Sequence, residues 1–513
     1  MKAAVTELFG IRKTESGYLQ GARDGEISSW LGVPYAQAER FGPPLPVTPW
    51  EGTRPAIHFA AQCPQRRGSE AKRAQVESPD YGEDCLNLNI WAPVGKSSEL
   101  KPVMVWIHGG AFLIGGSNPY NGAELAALGD MLVVTLNYRL GVLGFANFAE
   151  AFDLPEIPSN LGLRDQIAAL EWIRANIQAF GGDPTRITVA GESAGSVSVS
   201  LLMLSSKAWP LFHGAIMQSG AVNLIQDREK SRGIGRRYAK LLGLETVTID
   251  TLRQVSLEQL LEAQAAINSQ EPYALPASPW FDGDLLPGSL AEAHAAPTAP
   301  VPLLAGANLD EARRFEIFPG NKLVPVRWLD MEKLLRSQLP SDQVERILAS
   351  YPRTREGQSA LASDLNFILP TRHFAERHSA ANPTWFYRFD YRHPLLGACH
   401  ALDLAFLWPV RGIFGFLIRG GPMRGARGAL GNSMKANWVH FVRSGCPLPG
   451  WPQYTTNTPS VRLFDLRESV ISAPEPERYT AWAGRDVMPG LAESMKLTTE
   501  RHKHCSPRDK LIN

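Results

Sequence analysis

Midway through the chain, the segment RITVAGESAGSVSVSLLML places Ser193 inside a G-x-S-x-G pattern, Gly191-Glu192-Ser193-Ala194-Gly195. A serine hydroxyl is a weak nucleophile in ordinary surroundings. On a sharp strand-to-helix turn it stands in front of a helix N-terminus, whose free N–H groups and positive dipole end face the reacting centre. Glycine is needed on both sides, because a side chain at either flanking position would meet neighbouring backbone. In a chain with 45 glycines the pattern alone is a weak signal. Its setting is stronger: an apolar strand from Ile187 to Ala190 leads in, and small residues of helical character follow without a break. A second glycine-rich loop, His108-Gly109-Gly110-Ala111-Phe112, follows the apolar run Val103 to Ile107. Attack on an acyl carbonyl places negative charge on its oxygen. Backbone N–H groups aimed at that oxygen contribute about two to three orders of magnitude in rate each, and glycines let the backbone approach it. Taken singly, each segment reads equally well as a glycine-rich turn. In this order they point to acyl transfer through Ser193.

Such a site needs a scaffold of strands ending on one edge. Short β-branched runs that read as buried strands are Val103 to Ile107, Met131 to Leu136, Arg186 to Ala190, Ala215 to Met217, Val301 to Ala305 and Trp385 to Phe389. Between the second and third, Asn160 to Ala179 carries Leu161, Ile167, Leu170, Ile173 and Ile177 near helical spacing. Strand, helix, strand at these lengths predicts a parallel sheet with crossover helices. The polar, helical stretches around 227–270 and 330–377 read as peripheral insertions, and residues 498–513 as a flexible tail.

Composition narrows the function. Apolar residues make up 44% and charged residues 20%, ordinary values for a globular enzyme. The net charge is +1, from 52 basic and 51 acidic residues, so neither nucleic acid nor a membrane surface is an expected partner. No stretch reaches the roughly 18 apolar residues of a membrane span. The first residues lack an apolar signal region, and the expected setting is cytoplasmic unless an export signal has been trimmed. Five cysteines do not form a disulfide framework. His502, His504 and Cys505 resemble metal ligands but lie in the polar tail, so no metal is expected.

At this point the chain resembles the type-B carboxylesterase and cholinesterase family, particularly its bacterial carboxylesterases. The resemblance rests on Leu31-Gly32-Val33-Pro34-Tyr35-Ala36, Glu83-Asp84-Cys85-Leu86-Asn87-Leu88-Asn89 and the His108 to Phe112 loop. It continues through Asn137-Tyr138-Arg139-Leu140-Gly141, Asn160 to Gln166, Phe180-Gly181-Gly182-Asp183-Pro184, the Ser193 motif and Met217-Gln218-Ser219-Gly220. The implied fold is α/β: an α/β-hydrolase with a large, mostly parallel central sheet flanked by helices, and helical insertions shaping an active-site gorge. Residues 1–497 would form that single domain. The implied oxyanion-hole donors are Gly110, Ala111 and Ala194. The family's G-x-N-x-D-E-G segment falls on Gly306 to Ala312, which implies Glu311 as the acid, with its neighbour Asp310 as the rival. The family's G-A-x-H segment is Gly397-Ala398-Cys399-His400, after Tyr387, Phe389 and Tyr391, which implies His400 as the base. Without the resemblance, no one of the 11 histidines stands out.

Three departures are visible. Ala312 replaces a glycine, Asp403 stands where glutamate is usual, and the link from Tyr35-Ala36 to Arg40-Phe41 is short. The resemblance also pairs Arg40 with Glu83 and Arg139 with Asp165 as scaffold, and makes Cys63 and Cys85 a possible disulfide, with Cys399 and Cys446 buried and free. In cholinesterases the loop between those two cysteines holds the tryptophan that seats a quaternary ammonium. Here that loop has no tryptophan; Tyr81 is its only aromatic, and Arg66, Arg67, Lys72 and Arg73 make its first half basic. Trp280 and Trp408 are alternative seats elsewhere. The implied activity is hydrolysis of neutral, fairly apolar carboxylic esters through Ser193, His400 and Glu311, with a small-molecule ester as partner and no cofactor. A carbamate or amide hydrolase with the same triad, or a non-catalytic adhesion homologue of the same fold, are the alternatives. Acyl and alcohol preference would rest on insertions such as Glu271 to Trp280 and Arg411 to Arg427, and oligomeric state is not written in the sequence.

Overall fold

Strands buried on both faces read as continuous apolar runs, because each alternate side chain enters a different core. In the run Val103 to Ile107, Val103, Val105 and Ile107 enter one core while Met104 and Trp106 enter the other. Leu303 and Leu304 divide in the same way. The computed structural model describes residues 7–66, 80–94, 99–222, 224–270, 273, 277–317, 324–409, 423–472 and 474–482.

The strands are β1 (Glu7–Thr14), β2 (Gly17–Asp24), β3 (Ile27–Pro34), β4 (Thr53–Pro55), β5 (Asn87–Pro93), β6 (Lys101–Ile107) and β7 (Leu132–Leu136). They continue as β8 (Gly182–Glu192), β9 (Gly214–Gln218), β10 (Leu303–Asn308), β11 (Thr384–Phe389), β12 (Ser460–Phe464) and β13 (Ser469–Ser472). All belong to one 13-stranded sheet of order β1-β2-β3-β5-β7-β6-β8-β9-β10-β11-β12-β13, with β4 beside β2. From β7 to β12 every neighbouring pair is parallel, and antiparallel pairs close both edges. The six expected strands are all present. Strands β1 to β5 before them and β12 and β13 after them are additions.

The expected helix spans Leu161–Asn176 and ends in a 3₁₀ turn, Ile177–Phe180. The insertion around 227–270 is helical at Arg228–Leu241, Ile249–Gln254 and Leu257–Gln270. That around 330–377 contains Trp328–Gln338, Ser341–Ala349, Arg355–Ser363 and Leu369–Ser379. The last two are joined by a π-turn, Asp364–Ile368. These helices share a small core of their own, which includes Leu334, Ile347, Leu365 and Ala312. The expected tail, with His502, His504 and Cys505, lies outside the described residues. Parallel strands β8, β10 and β11 lead at their C-terminal ends toward Ser193, Glu311 and His400, the edge on which open α/β sheets carry their sites.

Candidate active site

Ser193 sits between β8 and the helix Ala194–Leu204 with φ 56° and ψ −124°. A non-glycine residue there is strained, and the surrounding packing must impose the conformation. The backbone does so through Ser193 N–H donating to the Gln218 carbonyl at 2.9 Å, while the Ser193 carbonyl accepts from Val197 at 2.9 Å. The flanking glycines are required by space. A Cβ at Gly195 would lie 2.0 Å from the Ile107 carbonyl oxygen, and one at Gly191 would lie 2.5 Å from Gly195 backbone.

The imidazole of His400 bridges two side chains. Its Nε2 is 2.9 Å from Ser193 Oγ and its Nδ1 is 2.6 Å from Glu311 Oε2. With Glu311 ionised, Nδ1 carries the proton and Nε2 is free to accept from the serine hydroxyl. Glu311 is fully buried, and its other oxygen accepts the Asn308 backbone N–H at 2.7 Å. Asp310 faces elsewhere: it accepts from Ala398 N–H at 3.1 Å and pairs with Arg392 at 3.2 Å. The geometry therefore joins Glu311, and not Asp310, to the histidine.

The loop after β6 is held in an unusual shape. Gly110 has φ 119°, and Ala111 and Phe112 have φ 57° and 61°. A Cβ at Gly110 would meet the Ile114 carbonyl oxygen at 2.0 Å. The Tyr138 hydroxyl donates to the His108 carbonyl at 2.9 Å, and Gly141 N–H donates to the Phe112 carbonyl at 2.7 Å. The Gln65 side-chain amide pairs with Gly115 in both directions, at 2.7 and 2.8 Å. Among the described residues, the N–H groups of Gly110, Ala111 and Ala194 donate to no other group. Three backbone donors beside a serine–histidine–carboxylate chain suit the oxyanion of an acyl-transfer intermediate.

A model of the carboxylesterase family matches residues 10–482. The chain belongs to the carboxylesterase family. The para-nitrobenzyl esterase of Bacillus subtilis (strain 168) is 36% identical over 493 residues, covering 91% of this chain and 96% of that protein. The pyrethroid hydrolase Ces2e of Rattus norvegicus is 31% identical over 544 residues, covering 96% and 92%. A solved structure of a PNB esterase superposes with a TM-score of 0.83 at 33% identity, over 93% of this chain and 99% of that one. This carboxylesterase is thus a carboxylic ester hydrolase of α/β-hydrolase fold.

Sequence reasoning treated Glu192 only as a filler of the serine motif. The structure buries it in this carboxylesterase with Oε1 3.2 Å from His400 Nε2, so the imidazole contacts two carboxylates. Burial pushes the Glu192 carboxyl up to about 7, against the pull of His400. Burial lowers the His400 imidazole, but Glu192 and Glu311 outweigh it and leave the group above its ordinary value. The only signal in the sequence was position: a side chain one residue before Ser193 ends β8 beside it.

Asp403 is buried and accepts from Gln218 at 2.8 Å and from Asn308 and Tyr387 at 3.3 Å, so it braces the strands behind the histidine. Ala312, in the glycine position, is fully buried, and its N–H donates to Ser363 Oγ at 3.0 Å. Both scaffold pairs form. Arg40 donates to Glu83 at 2.8 Å, and Arg139 grips Asp165 at 2.8 and 2.6 Å. Cys63 and Cys85 are buried free thiols in hydrogen-bonding contact, and Leu140 N–H points at the Cys63 sulfur at 3.1 Å. Cys399 is buried and free, whereas Cys446 is free but only half-buried. Trp280 and Trp408 are both buried, the latter packed against Trp106 and Tyr120. Arg67, Lys72, Arg73, half of the segment 271–280 and most of 411–427 lie outside the described residues. Among the described residues no cluster of three histidines, cysteines or carboxylates is placed to hold a metal, and no helix is long and apolar enough to cross a membrane.

Proposed function

We propose that this carboxylesterase hydrolyses neutral, fairly apolar carboxylic esters through an acyl-enzyme on Ser193. One observation carries the reading: His400 bridges Ser193 Oγ at 2.9 Å and Glu311 Oε2 at 2.6 Å. His400 Nε2 takes the serine proton as Oγ attacks the acyl carbon, and Glu311 holds the tautomer and balances the imidazolium. The N–H groups of Gly110, Ala111 and Ala194 receive the oxyanion. Collapse of the intermediate expels the alcohol, which takes the proton from Nε2. Water then enters, gives a proton to His400 and attacks the acyl carbon, so that the acid leaves and Oγ regains its proton. Every step is served by groups of this chain.

Preference for uncharged esters is supported by the burial of both candidate aromatic seats and by the charge beside His400. The two candidate tryptophans are buried, and Arg314 is exposed with a guanidinium nitrogen 3.4 Å from the His400 carbonyl. The names of the two relatives, a para-nitrobenzyl esterase and a pyrethroid hydrolase, agree with such esters. The cytoplasmic setting belongs to the same proposal, as the compartment in which Cys63 and Cys85 remain thiols. So does the treatment of residues 1–497 as one catalytic unit.

Ser193→Ala tests the mechanism. Ester turnover should fall by several orders of magnitude with unchanged melting, because the nucleophile is lost and only a hydroxyl is removed. Near wild-type turnover in that variant would overturn it.

A further inference from the structure

A proline in the middle of a helical stretch removes one N–H and presses its ring on the carbonyl four residues back. Pro370 lies four residues after Asn366, and here the helix widens into the π-turn Asp364–Ile368, in which Leu369 N–H reaches back to the Asp364 carbonyl. Such turns are rare and gather at functional sites. This one is anchored on several sides. The Asp364 carboxylate accepts from the Tyr351 hydroxyl at 2.6 Å, Asn366 Nδ2 donates to the Ala362 and Pro325 carbonyls at 2.7 and 3.1 Å, and Thr371 Oγ1 donates to the Phe367 carbonyl at 2.7 Å. Ser363, just ahead of the turn, accepts the N–H of Ala312 next to the acid Glu311.

What the turn presents to the site is Phe367. Its ring is 2% exposed and its centroid lies 4.5 Å from that of His400, at an interplanar angle of 36°. Phe315, from the short helix Arg313–Ile317, stacks on Phe367 at 5.7 Å and 9° and also touches His400 at 5.4 Å. We infer that Phe367, set by the π-turn, is a positioning residue that holds the His400 imidazole toward Ser193 during turnover.

The need for such a support follows from the chemistry, and the inference rests on the triad proposed above. Two hydrogen bonds hold the free imidazole. Once Ser193 Oγ is esterified it has no proton to donate, and only Glu311 still holds the ring by a hydrogen bond. Moreover, Nε2–H has a competing acceptor, because Glu192 Oε1 lies 3.2 Å away. An imidazolium that turned toward Glu192 would withhold its proton from the leaving alcohol. The aromatic face fixes the ring plane through these stages, and a protonated ring against it also gains cation–π attraction.

The experiment compares wild type with Phe367→Leu, which keeps an apolar side chain but loses the flat ring. Substrates are p-nitrophenyl acetate and p-nitrophenyl octanoate. Displacing a catalytic group by about 1 Å costs up to about a hundredfold, so kcat should fall on the order of tenfold for both esters, with KM nearly constant. In a His400→Ala background the same substitution should have no further effect, since Phe367 acts through the histidine. An unchanged kcat for acetate, with changes confined to octanoate, would make Phe367 a wall of the acyl pocket and overturn the inference. Equal effects in both backgrounds would overturn it too. Should Phe367→Leu fail to fold, Phe315→Leu is judged by the same criteria, because it removes the ring stacked on Phe367. Near wild-type turnover of His400→Ala alone would instead sink the triad.

Discussion

Glu192 and His400 face each other at 3.2 Å with both groups buried, so their protonation is coupled. In the proposed mechanism His400 acts as base only when neutral, so the acid limb of kcat/KM should follow its ionisation. The raised imidazole places that limb above the ordinary histidine value, and Glu192, with its own carboxyl near 7, broadens it. Removing the negative charge with Glu192→Gln should move the limb to lower pH and sharpen it. Arg314 pulls the histidine the other way, so Arg314→Gln should move it to higher pH. Opposite displacements in the two pH–rate profiles are expected. Displacements in the same direction would mean that the limb does not report His400.

At the scale of elements, the loop after β6 owes its shape to the segment Cys63 to Gln65 as much as to its own glycines. Gln65 pairs with Gly115, and Cys63 sits under Leu140, one residue from the glycine that binds Phe112. The contact between the Cys63 and Cys85 thiols makes them the pair that oxidation should join. Treatment with a mild oxidant followed by unreduced peptide mapping should recover a Cys63–Cys85 linked pair, with Cys399 still a thiol because burial raises it to about 11 and keeps it protonated. Recovery of both cysteines as single peptides would exclude the bridge. The sequence discloses these elements unevenly. Strands β6 to β11 were legible because their central residues are buried on both faces and largely apolar. The edge strand β1 keeps no strict apolar–polar alternation and holds a glycine with φ 60°, so its pattern does not separate it from a loop. The π-turn follows from Pro370 only once the helix on both sides is known. Glu192 stayed hidden for another reason: only the fold brings it against a histidine from β11's far loop.

Across the whole molecule, the near balance of charge hides a local imbalance at the site. Arg314 stands exposed beside His400, while Glu192, Glu311 and Asp403 are buried beneath it. The exposed guanidinium is the charge a substrate cation meets at the surface, and it repels that cation. A clear preference for a neutral butyrate ester over butyrylcholine, at similar leaving-group reactivity, is therefore expected in kcat/KM. An equal or higher value for the choline ester would place the enzyme with the cation-binding branch of its family.

The three side chains of the proposed triad follow different strands, and this has a consequence for how activity is first acquired. His400 meets Glu311 across 89 positions of chain and Ser193 across 207. Contacts so distant close late, because the intervening loops must be ordered before any reward arrives. Local pieces such as the β6-to-β8 unit can collapse and bury tryptophan well before β11 docks on β10. On dilution from denaturant, tryptophan fluorescence should therefore recover ahead of ester turnover, and simultaneous recovery would contradict this order. A chain caught between the two events would be compact and inert, with its nucleophile already raised on its turn and nothing yet beside it to take the proton.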